Sequence, residues 1–374
     1  MKRFALIGAG GYIAPWHLKA IKDTGSQLTA ALDIHDNVGV LDGCFPDADF
    51  FTEFERFDRY VEKLRRTGEK MDYISICSPN YLHDAQIRFA LKCGIDAICE
   101  KPLVLNPWNL EALEEMEKET GRVVHPILQL RLHPTILQLR EKLRGKQDRI
   151  HDVELTYIVP HGRWYFISWR GREDKAGGLS THIGIHFLDI LIWLFGDIKK
   201  NLVHLSEPQR EAGYLELERA RVKWFFSVDR EYIPDPYRAN WQSSAYCSFC
   251  VDNEEMDLTS DLSDLHTASY EEILQGRGFG LRDARKSIEA AYFIRNASAV
   301  GLHGDYHPLA SIEVQSKASR EFSEDAFINR LAPGICNFPR YTDQWTRVQD
   351  VNDELSLTNP KHRRSSSDHK GPVA

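Results

Sequence analysis

A lysine at the end of one apolar run and two histidines inside another are the side chains here most able to do chemistry. Lys101 stands in CEKPL (99–103), between Glu100 and Pro102. His182 and His186 stand in GGLSTHIGIHFLD (177–189), which ends in Asp189. At i, i+4 and i+7 the three would share one helix face. Oxidation of an alcohol by a nicotinamide cofactor needs a base to take the hydroxyl proton while hydride leaves the carbon. It also needs a cation near the developing alkoxide. Imidazole suits the first task, and a compact, orientable ammonium suits the second. His186 and Lys101 are therefore the candidate catalytic pair. No metal is expected, because the histidine pair lacks the adjacent Glu of H-E-x-x-H.

Such a pair needs a cofactor site. LIGAGGYIAPWH (6–17) runs from an apolar strand through glycines into a helix. A dinucleotide site needs a tight turn, bare backbone near the pyrophosphate and a small residue where helix meets strand. Gly8, Gly10 and Gly11 open the turn, with one residue more than G-x-G-x-x-G, and Ala14 serves as the small residue. The cradle reads from Gly11 to Ala14, with Tyr12 and Ile13 presenting backbone N–H groups at a helix N-terminus. LTAALDI ends in Asp33, twenty-two residues after Gly11. A carboxylate at that distance accepts from ribose hydroxyls and repels a 2′-phosphate, so NAD is expected rather than NADP. CSPNYLH (77–83) ends another strand, which puts Ser78, Pro79, Asn80 and His83 with Glu100 and Lys101 at the ligand edge of a parallel sheet.

These motifs need elements to hold them. Residues 1–125 alternate strand and helix at short intervals, the pattern of βαβ units and a Rossmann-type parallel sheet. VVHPILQLR (123–131) reads as its last strand. Residues 126–315 carry alternating segments such as DVELTYIV, NLVHLSE and GYLELERARVKWFFSVD, an apolar helix at about 184–195 and a later one at RDARKSIEAAYFIRNA. They predict a second α/β domain with a large, mainly antiparallel open sheet. Residues 316–374 read as a largely disordered tail, polar and rich in Ser, Lys, Arg and Pro at its end.

Composition excludes some partners. The formal net charge is −8 with no basic stripe, so no nucleic acid is expected. The longest apolar run, FLDILIWLFG, contains Asp189 and is shorter than the ~20 residues of a membrane span. The seven cysteines include one CxxC, Cys247 and Cys250, whose side chains would lie on opposite strand faces. A reducing, cytoplasmic setting follows.

The glycine turn, PNYLH, EKP and GG…GIHFLD, in this order, resemble the Gfo/Idh/MocA oxidoreductases over about residues 1–312. The nearer resemblance is to the UDP-N-acetylglucosaminuronate 3-dehydrogenases (WlbA/WbpB type) of lipopolysaccharide synthesis, through SICSPNYLH, ICEKPLV, ILQLRLHP, GRWYFISWRG and DLHTASYEEILQGRGFG. That resemblance implies an NAD-dependent cytoplasmic enzyme and a homotetramer. Lys101 and His186 would be the catalytic pair, with Gln129, Trp169 and Arg170 added at the cofactor. Arg131, Arg163, Trp164, Tyr165, Ser168 and His182 would join the pair at a nucleotide-sugar substrate. Where many relatives carry Asp, this chain has His182. WRG (169–171) is either a nicotinamide contact or a structural loop. A free sugar or inositol is the alternative substrate. A cofactor-sensing regulator is disfavoured because both Lys101 and His186 are present.

Overall fold

The computed structural model describes residues 1–145, 149–235, 237–238, 245–258 and 264–313. The expected tail at 316–374 lies outside them. Short apolar runs build the first sheet: β1 (Arg3–Ile7), β2 (Gln27–Leu32), β3 (Asp49–Phe51), β4 (Tyr73–Ile76), β5 (Asp96–Cys99) and β6 (Val124–Pro126). They pair in the order β3-β2-β1-β4-β5-β6, and every pairing is parallel. The crossovers contain α1 (Ala14–Asp23), α2 (Val40–Cys44), α3 (Phe54–Thr67), α4 (His83–Lys92) and α5 (Pro107–Thr120). With helices on both faces the strands need apolar residues on both sides, and β4 is buried throughout. The order turns back between β1 and β4, and the crevice at their carboxyl ends is the ligand edge of such a sheet. Gly8 permits that crevice. Its φ is +91°, and a Cβ there would lie 2.7 Å from the Cys77 carbonyl carbon and from Ser78 N.

VVHPILQLR is not one strand. β6 stops at Pro126, a 3₁₀ turn takes Gln129–Leu132, and α6 (Pro134–Leu143) begins at Pro134. His133 supplies its N-cap by accepting from Thr135 N. The second sheet holds β7 (His151–Ile158), β8 (Ile198–Glu207), β9 (Arg210–Leu217), β10 (Ala220–Ser227), β11 (Tyr246–Val251) and β12 (Glu254–Glu255), in the order β12-β11-β7-β10-β9-β8. It is mostly antiparallel, but the central β7–β10 pair is parallel. The short helices α7 (Trp164–Ile167) and α8 (Glu173–Ala176) lead to α9 (Ile185–Phe195); α10 (Leu265–Leu274) and α11 (Leu281–Asn296) follow the sheet.

Both sheets belong to one compact unit, Met1–Ala318. One core cluster joins β1, β4 and β5 to α9, α11 and the inner face of the second sheet. The chain also doubles back. α10 packs on α1, and Tyr270 is buried with Phe4, Leu6 and Ile98, so a late helix completes the first domain. The helical stretch Glu173–Phe195 is long and apolar enough by composition to cross a membrane, yet 78% of its most apolar window is buried within the fold.

Candidate active site

At the first crevice the backbone is arranged around Asp33. Its Oδ2 accepts from Gly10 N at 2.9 Å and its Oδ1 from His35 N at 2.9 Å. Gly11 N donates back to Gly8 O at 3.0 Å, which tightens the turn. Among the described residues no acceptor meets the N–H groups of Tyr12 and Ile13, which stand at the start of α1 where an anion would be held. The side chain of Gln129 offers a second vacancy: its Oε1 is buried and has no partner among the described residues. Bare glycine backbone, free amides at a helix start and an unused amide oxygen are groups that suit a dinucleotide.

The chemistry gathers where β5 ends. Lys101 Nζ donates to the carbonyl of His182 at 3.0 Å. That carbonyl is available because Ser180–Gly184 forms a π-turn, where the regular α-helical bonding is interrupted. His182 and His186 are therefore not on one regular α-face as their spacing predicts. His182 Nδ1 lies 3.2 Å from Asn80 Nδ2, and its ring stands edge-on to Trp169 at 5.4 Å. Burial, then the Lys101 charge, holds both imidazoles well below the usual histidine range. Both are neutral at pH 7, the form a base needs. Burial also lowers the Lys101 pKa, opposed by Glu100 and reinforced by Arg170.

The remaining expected contacts divide. Trp169 and Arg170 lie beside the pair, with the Arg170 guanidinium 4.9 Å from the Trp169 ring centre and its charge acting on Lys101 and His182. Trp164 is half exposed beside Arg170, and Arg163 is exposed at the N-cap of α7. Others are corrected. Arg131 is buried in an ion pair with Asp189 at 2.7 Å and also reaches the Asp283 carboxylate and carbonyl, so four of its five N–H donors are spent within the protein. Tyr165 is buried and stacked on His161 at 4.8 Å. Ser168 caps its own turn, donating to Tyr165 O and accepting from Arg170 N.

Three expected cofactor contacts also turn inward. His83 turns both ring nitrogens to protein carbonyls, Nδ1 to Pro102 O at 2.8 Å and Nε2 to Ser78 O at 2.9 Å; as a neutral ring it donates to one of them, and both nitrogens are engaged within the protein. The Asn80 amide nitrogen is occupied by Ala176 O and His182. Glu100 points away from the crevice, onto His17 and His266. Ser78 donates to Gln86 Oε1 at 2.5 Å, and Pro79 precedes the 3₁₀ turn Asn80–Leu82.

Sequence reasoning missed Glu211, His17 and His266. Glu211 is buried on β9 and accepts from Ser180 N at 2.9 Å and from Ser180 Oγ, which fixes the start of the π-turn. Its only signal was an acidic residue near the start of the strand REAGYLEL, where Glu216 follows it on the same strand. His266 and Tyr270, four apart in HTASY, share the α10 face that meets His17, a helical pairing visible in the spacing.

Comparison with known proteins adds the following. Residues 2–127 match an oxidoreductase family's NAD-binding Rossmann fold, and residues 140–232 match that family's C-terminal alpha/beta domain. The WlbA (WbpB) dehydrogenase of Thermus thermophilus is 49% identical, over 82% of this chain and 99% of that one, with a TM-score of 0.79. It has been solved with NAD and UDP-GlcNAcA, and with NAD and alpha-ketoglutarate. The putative oxidoreductase YteT of Bacillus subtilis (strain 168) is 25% identical over 69% of this chain and 67% of its own length. The D-glucoside 3-dehydrogenase of Escherichia coli (strain K12) is 28% identical over 34% of this chain and 36% of its own.

Proposed function

This chain belongs to the Gfo/Idh/MocA oxidoreductase family and uses NAD, and from that premise we propose that it oxidises the C3 hydroxyl of UDP-N-acetylglucosaminuronic acid to the 3-keto sugar. The observation that carries the substrate is the 49% identity, across nearly the whole of the Thermus protein, to a dehydrogenase that binds NAD and this sugar. The arrangement of Lys101 and His186 supports the chemistry. His186, neutral and half-buried, takes the hydroxyl proton. Lys101, tethered by the His182 carbonyl, orients the hydroxyl and stabilises the alkoxide. Bound NAD supplies the hydride acceptor. Arg170, whose charge acts on Lys101, is the candidate cation for the sugar carboxylate or the pyrophosphate. The keto product presents the carbonyl a transaminase needs, which suits a place in surface-polysaccharide synthesis.

The test is turnover of UDP-N-acetylglucosaminuronic acid by purified protein with NAD, with 2-oxoglutarate added to reoxidise bound NADH. Formation of the 3-keto sugar is expected. No turnover under both conditions would remove this substrate. UDP alone should raise the melting temperature, and failure to do so would favour a free sugar.

A further inference from the structure

Glu100 is next to Lys101 in sequence, yet its carboxylate faces neither crevice nor solvent. Oε1 accepts from His17 Nε2 on α1 and from His266 Nε2 on α10, both at 2.9 Å. Oε2 accepts from Lys101 N at 3.1 Å. Behind His17 the chain of contacts continues, with Nδ1 2.7 Å from Tyr270 Oη and that hydroxyl 2.6 Å from Ser75 Oγ. All of these side chains are buried. One proton arrangement satisfies the line from Ser75 to Glu100: Ser75 donates to Tyr270, Tyr270 to His17 Nδ1, and His17 Nε2–H to the carboxylate. His266 Nε2–H makes the third donor to Glu100. Burial alone would raise the Glu100 carboxyl, but the His17 and His266 hydrogen bonds hold it well below the usual range.

The surroundings of Lys101 make that charge consequential. The ammonium is partly buried and donates only to the carbonyl of His182 among the described residues. Arg170 faces it with like charge, and His182 and His186 face it as neutral rings. Cys77, Cys99 and Tyr270 also lie in the field of Glu100 and are held protonated by burial. Glu100 is the one anion acting on Lys101 among the described residues.

We infer that Glu100 is the buried counter-charge that keeps the Lys101 ammonium charged during the reaction, and that His17 and His266 are positioning residues that hold Glu100 as a carboxylate. This rests on the reading of Lys101 as the cation of the oxidation step. Two histidines and a glutamate are also metal-ligand types, and their ligand atoms lie within 4.8 Å of one another. A bound cation would cancel the counter-charge, so metal content belongs in the test.

The test is competitive acetylation of the full chain across pH, read lysine by lysine by mass spectrometry, without substrate. Wild-type Lys101 should titrate below the ordinary lysine value yet above neutrality, so that it is charged at neutral pH. Glu100→Gln should move its midpoint down by at least about one pH unit, a tenfold change, with Lys19 and Lys142 unmoved. Glu100→Asp, which restores the charge, should return most of the shift. The alkaline limb of kcat should move with the midpoint, which a merely structural role would not produce. A folded Glu100→Gln with an unmoved Lys101 midpoint would overturn the inference. So would a wild-type midpoint below neutrality, which needs no variant, or one equivalent of metal retained by wild type and lost in His266→Gln. Because the labelling uses no substrate, its failure is distinct from failure of the sugar assignment.

Discussion

Lys101 and His186 do opposite electrostatic work in one buried volume. In the proposed oxidation the lysine must stay charged while the histidine must not. Burial, and after it the Lys101 charge, lowers the His186 pKa, so the neutral base persists on the acid side of the ordinary histidine value. The acid limb of kcat/KM is therefore expected below pH 6.5, and a limb at or above that value would contradict the assigned base. His186→Asn should lower kcat by about 10²–10⁴ while NAD binding, followed by fluorescence titration, stays near wild type. Asp33 is tested separately. Asp33→Asn removes the charge that repels a 2′-phosphate and weakens the brace on Gly10 N, so the ratio of kcat/KM for NAD over NADP should fall by about tenfold or more. An unchanged ratio would take cofactor choice away from Asp33. The candidates Lys101, His186 and Asp33 were legible because each ends a recognisable local pattern. Arg131 misled because an arginine near a site suits an anion, and its real partner, Asp189, is 58 positions away. Glu100 misled in the same way, since His17 and His266 lie 83 and 166 positions from it.

The π-turn Ser180–Gly184 is the element on which the histidines depend, and the sheet holds it from outside. Glu211 on β9 takes the donors of Ser180, while Phe226 on β10 leaves room only for hydrogen at residue 184: a Cβ there would lie 2.4 Å from Phe226 Cε2. Gly184→Ala should therefore destabilise the protein by about 1–3 kcal/mol by overpacking and should lower kcat as the turn shifts. Pairing it with Phe226→Leu should recover part of both losses, because the two sites share one contact. A double variant that loses the sum of the two single-variant losses in equilibrium denaturation would show that the turn does not depend on this contact. The two long helices at 185–195 and 281–296 were legible from apolar spacing and their flanking residues. The extra residue per turn at 180–184 was not, since nothing local in GGLSTHIG distinguishes a π-turn from an α-turn. Its cause lies on two strands that arrive later in the chain.

At the scale of the whole molecule, the layout of a parallel sheet followed by a mostly antiparallel one followed from residue alternation. The parallel β7–β10 pair and the return of α10 onto α1 did not, because both are long-range choices. That return packs histidine against histidine and helps make the interior dependent on proton concentration. Burial lowers the pKa of His17, His83, His182 and His186 below the unfolded value. Between those folded values and about pH 6.5 the unfolded chain binds more protons than the native one, so stability falls as pH falls through that window. Each such histidine contributes at most about 1.4 kcal/mol per pH unit. Asp189 and Glu211 oppose this, since burial raises their pKa values and the native state then takes up protons first. With Glu117 they are three groups against eight, since burial also lowers His125, His161, His204 and His307, and the unfolded values that bound their window lie near the ordinary carboxylate range, below that of histidine. The denaturant midpoint should therefore drop steeply between pH 7.5 and pH 5.5 at constant ionic strength. A midpoint that stays level across that interval would mean that the buried histidines take up protons without unfolding. Saturating NAD, at about a hundred times its Kd, should add roughly 2.7 kcal/mol at either pH if the cofactor crevice and the histidine cluster act independently. A smaller increment at pH 5.5 would show that protonation of the buried histidines reaches the crevice through α1, which carries His17 and begins at the glycine turn.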